Sequence, residues 1–96
     1  MKVINHETGF WFLLQEHHNY YLDVNCNYSF VGFNRTIKLN EIELEKFKIN
    51  GLEYINELAK EVQYHAMTKY SRRHITGKNS KSIHRAIIIY NEQNTL

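Results

Sequence analysis

Proline is absent from this chain, cysteine occurs once, and glycine occurs four times in 96 residues. Without proline and with few glycines, long irregular loops are disfavoured and compact regular elements are expected. The lone thiol, Cys26, cannot form an internal disulfide, which excludes a small cross-linked secreted scaffold and agrees with a cytoplasmic location. No apolar run approaches the roughly 18 residues that a membrane span needs. The patch from Phe10 to Leu14 is too short for the core of a secretory signal, and no small-residue cleavage site follows it. A large charge of either sign is missing too: the net value is +2. The length fits one domain over residues 1–96 with one modest core.

What the chain does have is apolar and aromatic material. The apolar share of 43% and charged share of 23% belong to a soluble globular protein rather than a disordered tail. The small net charge also hides a strong division. Residues 1–40 balance. Residues 41–61 carry Glu41, Glu43, Glu45, Glu53, Glu57 and Glu61 against Lys46, Lys48 and Lys60. Residues 62–91 carry Lys69, Arg72, Arg73, Lys78, Lys81 and Arg85 and no acid. An acidic middle precedes a basic end, an asymmetry that points to a macromolecular partner.

The run FWFLLQE (10–16) reads as a strand. His17-His18-Asn19 is polar and turn-like. From Tyr20 the residues alternate, with Leu22, Val24 and Cys26 on one face and Tyr21, Asp23 and Asn25 on the other. Asn25-Cys26-Asn27 is expected to turn, because asparagine tolerates left-handed backbone angles. Residues 28–38 form a third strand whose phase breaks at Gly32, which suggests a bulge. Alternation of period two is core patterning first, so the aromatics of YYLDVNCNYSFVGF are expected to pack the sheet.

A helix start is written at Asn40. Glu43 follows three residues later as a capping box, and Leu39 with Leu44 occupies the staple positions. Asn50-Gly51 ends or kinks this helix, since glycine is the usual C-terminal cap. Leu52, Ile55, Leu58, Ala59, Val62 and Ala66 then form an apolar stripe, predicting a second helix from about Leu52 to Lys69. Residues 71–79 read as a surface loop. Ser80 to Gln93 is expected to be a third helix capped by Ser80, with an edge strand through AIIIY as the alternative. The fold class expected is α+β: a three-stranded antiparallel N-terminal meander followed by two or three helices packed on one face.

Six histidines invite a metal or catalytic reading. No H-x-x-x-H, H-E-x-x-H or C-x-x-C spacing occurs, and adjacent His17 and His18 point apart in a strand, so neither metal nor cofactor is expected. Cys26 as a nucleophile gives way to Cys26 as buried filler, since it continues the Leu22–Val24 face. The best catalytic case is a ribonuclease-like set of His65, His74, His84, Arg72, Arg73 and Lys81, with histidine moving protons near neutral pH. No compact motif ties these together, and no catalytic residue is assigned. Nucleic-acid binding would use the basic stretch 69–85 with Tyr64 and Tyr70 as stacking groups. The glutamate-rich helix would repel a phosphate backbone, and Thr76-Gly77-Lys78 lacks the upstream glycine of a P-loop. A protein partner accounts for opposite charge patches more economically, and tyrosine, Trp11, Arg72 and Arg73 are interface types. Trp11 equally fits a core.

The runs FWFLLQ, YYLDVNCNYSFVGFNRTIKLNEIELEKFKINGLEYINELAKEVQY and TGKNSKSIHRAI, spanning about residues 11–90, resemble small bacterial immunity proteins. These are encoded beside polymorphic toxins, including those of contact-dependent growth inhibition. The resemblance implies a cytosolic protein that binds a cognate toxin domain, often a nuclease, and blocks it without catalysis. It carries no site residues over. A nuclease site that accepts phosphate is basic, so Glu41, Glu43 and Glu45, with Glu53 and Glu57, are the expected toxin-facing residues. Arg72 and Arg73 are the expected contacts of the basic segment. The alternative is a small nucleic-acid-binding regulator or antitoxin using the basic C-terminal third. Exposed sheet edges leave strand-to-strand association open.

Overall fold

The computed structural model describes residues 1–94. Four strands lead the chain: β1 (Lys2–Glu7), β2 (Trp11–Glu16), β3 (Asn19–Tyr28) and β4 (Val31–Lys38). Three helices follow: α1 (Glu41–Asn50), α2 (Leu52–Tyr64) and α3 (Lys78–Gln93), with a 3-10 turn at Ser71–Arg73 between the last two. The strands form one antiparallel sheet in the order β1-β2-β3-β4. The α+β class holds; the sheet has four strands, not three.

The extra strand is β1. Its pairing with β2 shifts register between Val3 and Asn5. That bulge interrupts the period of two and hides the strand in KVINHE. The expected bulge at Gly32 is absent, because Gly32 pairs regularly with Asn27. The phase change there comes from the hairpin itself. Asn25, Cys26 and Asn27 stay in β3, and the chain reverses at Ser29-Phe30, with Ser29 in the left-handed region at φ 57°.

The helices cover both faces of the sheet rather than one. Trp11, Leu13, Leu22, Val24 and Ile37 point to one side and meet Ile55, Leu58, Ala59 and Val62 of α2. Leu14 and Tyr21 point to the other and meet Ile83 and Ala86 of α3. The physical reason lies in FWFLL, which is apolar at both parities and needs cover on both sides. Trp11 is core, 2% exposed, with its indole N–H donating to Asn56 Oδ1 at 2.8 Å. Tyr90 fixes the far part of α3: its hydroxyl lies 2.9 Å from His6 Nδ1, and its ring meets Phe12 edge-on.

The Asn40 cap forms as expected. Its side chain accepts from the Glu43 N–H at 2.8 Å, and Glu43 Oε1 accepts from the Asn40 N–H at 2.9 Å. Gly51 closes α1 at φ 64°, an angle that costs glycine little. The second helix stops at Tyr64, short of Lys69, while Ala66 and Tyr70 remain buried in the turns beyond it. The last element is a helix. It begins at Lys78 after Gly77, with no side-chain cap from Ser80.

Candidate functional site

The β3–β4 register sets Asp23 opposite Thr36. Asp23 is 1% exposed and accepts from the Thr36 hydroxyl at 2.5 Å and from Asn34 Nδ2 at 2.8 Å. Two donors satisfy a carboxylate that could not otherwise be buried. His74 joins this cluster from the segment before α3. Its Nδ1 accepts from the Thr36 backbone N–H at 3.2 Å, and the Ile75 N–H donates to the Thr36 carbonyl at 2.9 Å. The outer edge of β4 is sealed at Thr36. An accepting Nδ1 leaves the ring proton on Nε2 and requires a neutral imidazole. Burial first, and then the Arg35 charge, hold His74 below the ordinary histidine value, with Asp23 opposing them.

Of the ribonuclease-like set, only His74 meets this carboxylate cluster. Its accepting nitrogen is engaged by a backbone amide. His65 caps the end of α2 beside the Tyr64 ring, and His84 stands on the exposed surface of α3. Cys26 is buried at 2% exposure and its thiol is pushed up by burial, the state of a packing group. Among the described residues no group of three His, Cys, Asp or Glu side chains is placed to hold a metal ion. Among them, too, no helix is long and apolar enough to cross a membrane.

The expected partner-facing residues separate into two sets. Glu43 is 7% exposed and faces inward, where Arg73 donates to its two oxygens at 2.7 and 2.8 Å. Arg73 Nη2 also donates to the Lys38 carbonyl at 2.7 Å. Glu43 is withdrawn into this clasp, which corrects its place in the expected surface, whereas the Arg73 side chain keeps 28% exposure. The reason is chemical: a cap residue three positions into a helix points back toward the chain entering it, where the Arg73 turn also lies. Glu41, Glu45, Glu53 and Arg72 stand exposed, and among the described residues none has an ion-pair partner. Glu57 is exposed and pairs with Lys60 at 3.6 Å.

Sequence reasoning missed the exposed apolar groups. On α1, Ile42 is 69% and Ile49 77% exposed, flanking Glu45 on the outer side. Leu44 and Phe47 take the inner side, with Phe47 against the Tyr20 ring at 5.6 Å. The signal was present in EIELEKFKIN, whose four apolar residues surround the helix and cannot all face one core. A shallow depression lined by Glu41, Ile42, Leu44, Glu45 and Lys48 marks this face. Phe30 at the β3–β4 tip is wholly exposed, with Tyr28 and Val31 beside it.

Compared with known protein families, with curated proteins and with solved structures, the chain matches none of them.

Proposed function

We propose that this chain is an immunity protein that binds a cognate toxin domain and neutralises it by occupying its surface, without turnover. The observation that carries this reading is the outer face of α1. Ile42 and Ile49 lie open beside Glu41 and Glu45, and neither acid has an ion-pair partner among the described residues. Exposed aliphatic side chains rimmed by unpaired charge are the composition of a docking surface. Glu41 and Glu45 form an acidic edge beside the exposed Lys46 and Lys48, and that edge suits a basic target, such as the phosphate-binding site of a nuclease, whose capture unpaired acids would speed. The part-buried Glu43–Arg73 clasp supports the face by holding α1 to the body.

A second reading, contact with nucleic acid, rests on Lys78, Lys81 and Arg85. These share α3 and lack ion-pair partners among the described residues. Exposed Ile88 and Ile89 and the acid Glu92 on the same helix weigh against it.

The test is protection. The neighbouring reading frame is expected to encode a protein whose C-terminal domain kills cells, and co-expression of this chain rescues them. Rescue is lost in Glu41→Lys/Glu45→Lys and in Ile42→Asp/Ile49→Asp, both of which keep the wild-type circular dichroism spectrum. A harmless neighbour would overturn the function. Full rescue by both double variants would overturn the α1 face.

A further inference from the structure

Helix α3 is apolar on two opposite sides. Ile83 and Ala86 are buried against the sheet. Ile88 is 57% and Ile89 45% exposed, and they line a shallow surface groove of about 510 Å³ together with Lys81, His84, Arg85 and Glu92. Three consecutive isoleucines, Ile87 to Ile89, span too wide an arc of a helix for one core to take them all. The outward pair is therefore a second apolar surface, on the side of the sheet away from α1 and α2.

Two of the charges around it, Arg85 and Glu92, are placed symmetrically, while the exposed Lys81 has no acidic counterpart among the described residues. Arg85 precedes the midpoint of Ile88-Ile89 by as many positions as Glu92 follows it. The two lie two turns apart on one helix face, about 10.5 Å along the axis. Neither has an ion-pair partner among the described residues. A second copy of α3, laid antiparallel across the groove, puts its own Ile89 on Ile88. It also sets its Glu92 against Arg85 and its Arg85 against Glu92. An isologous two-fold contact requires this self-complementarity, in which each half of a patch fits the other half.

We propose that α3 pairs with α3 of a second copy, antiparallel about Ile88-Ile89, forming a two-fold dimer locked by two Arg85–Glu92 ion pairs. One helix face per subunit places the contact at the small end of protein interfaces, below about 1,200 Å² in total, so association is weak. The dimer leaves both α1 faces pointing outward. It is independent of what α1 binds.

Charge exchange tests this. Wild-type protein is expected to show a concentration-dependent monomer–dimer equilibrium in sedimentation velocity through the high micromolar range. Arg85→Glu alone sets acid against acid and Glu92→Arg alone sets base against base, so each stays monomeric with at least a tenfold weaker association. An equimolar mixture of these two variants restores the dimer, because every contact is again opposite in sign. The double variant R85E/E92R restores it as well. All four positions of the patch are exposed, and an unchanged thermal melt confirms that folding is intact.

A wild-type protein that remains monomeric, or a mixture that does not recover dimer, overturns the proposal. One overturning result identifies the competing reading: a monomer that binds a labelled duplex, loses it in Arg85→Glu and binds it more tightly in Glu92→Arg, contacts nucleic acid through α3.

Discussion

Arg73 grips Glu43 through both guanidinium nitrogens, at 2.7 and 2.8 Å, across thirty positions of sequence. Glu43 Oε1 also closes the Asn40 cap. Glu43 and Arg73, whose Nη2 also donates to the Lys38 carbonyl, thus tie the start of α1, the end of β4 and the Ser71–Arg73 turn together. The Arg73 side chain lies over the Tyr70 ring, 5.6 Å from its centroid.

Removing the cation leaves Glu43 nearly buried and half-satisfied. Arg73→Ala is expected to destabilise the fold by about 2 kcal/mol, less than a fully buried pair because Arg73 is partly solvated. Arg73→Lys recovers only part of this, since a single ammonium cannot reproduce the fork. Asn40→Ala costs about 1 kcal/mol through the cap alone. Urea unfolding checks all three, with midpoints lowered and slopes unchanged.

The His74 contact makes stability depend on mild acid. Its folded value lies below the ordinary 6.5 because burial, Arg35 and His84 disfavour the charged ring more than Asp23 favours it. The unfolded chain takes the proton first. The contribution is therefore present above about pH 6.5 and is lost as pH falls below it. Wild-type stability should drop between pH 7.5 and 5.5. In His74→Gln this part of the slope disappears, although the starting stability is lower.

Tyrosine titration reads the other end of the scale. Burial first, and then the Glu61 carboxylate, push Tyr70 up to about 12. Tyr21 and Tyr54 are also raised, chiefly by burial. Ultraviolet titration to pH 11 is expected to ionise fewer than the seven tyrosines of the folded chain. The remainder ionise on unfolding in denaturant. Because the unfolded chain releases these protons near pH 10, stability falls as pH rises beyond that point.

The thiol offers a simple accessibility measurement. Cys26 is buried on the α2 face of the sheet, and its ionisation is pushed up by burial, with Arg35 opposing. An aromatic disulfide reagent should react with it only at the rate of unfolding, and fully in denaturant. Prompt reaction in native buffer would place the β3–β4 end of the sheet open to solvent.

Some of this architecture was legible in the residues alone. Asn40 with Glu43 wrote the start of α1, Gly51 its end, and the Ile55–Val62 stripe the face of α2. These are short-range signals, set by hydrogen bonds and spacing within one or two turns. The aromatic-aliphatic run of β2 and the period of two in β3 wrote the central strands. The acidic surface of α1 was half legible: Glu41 and Glu45 are where the charge pattern put them, while Glu43 is not.

The remainder depended on contacts between distant segments. Whether a glutamate serves a solvent-facing patch or a clasp is decided by an arginine thirty residues away. The strand in KVINHE becomes one only because β2 pairs with it around a bulge. The apolar run FWFLL stated that both faces of the sheet needed cover, but not which helix would cover each. Tertiary packing made that choice, with α2 on one face and α3 on the other. It also decided which isoleucines were left outside, because a helix can bury only the side it turns toward the sheet.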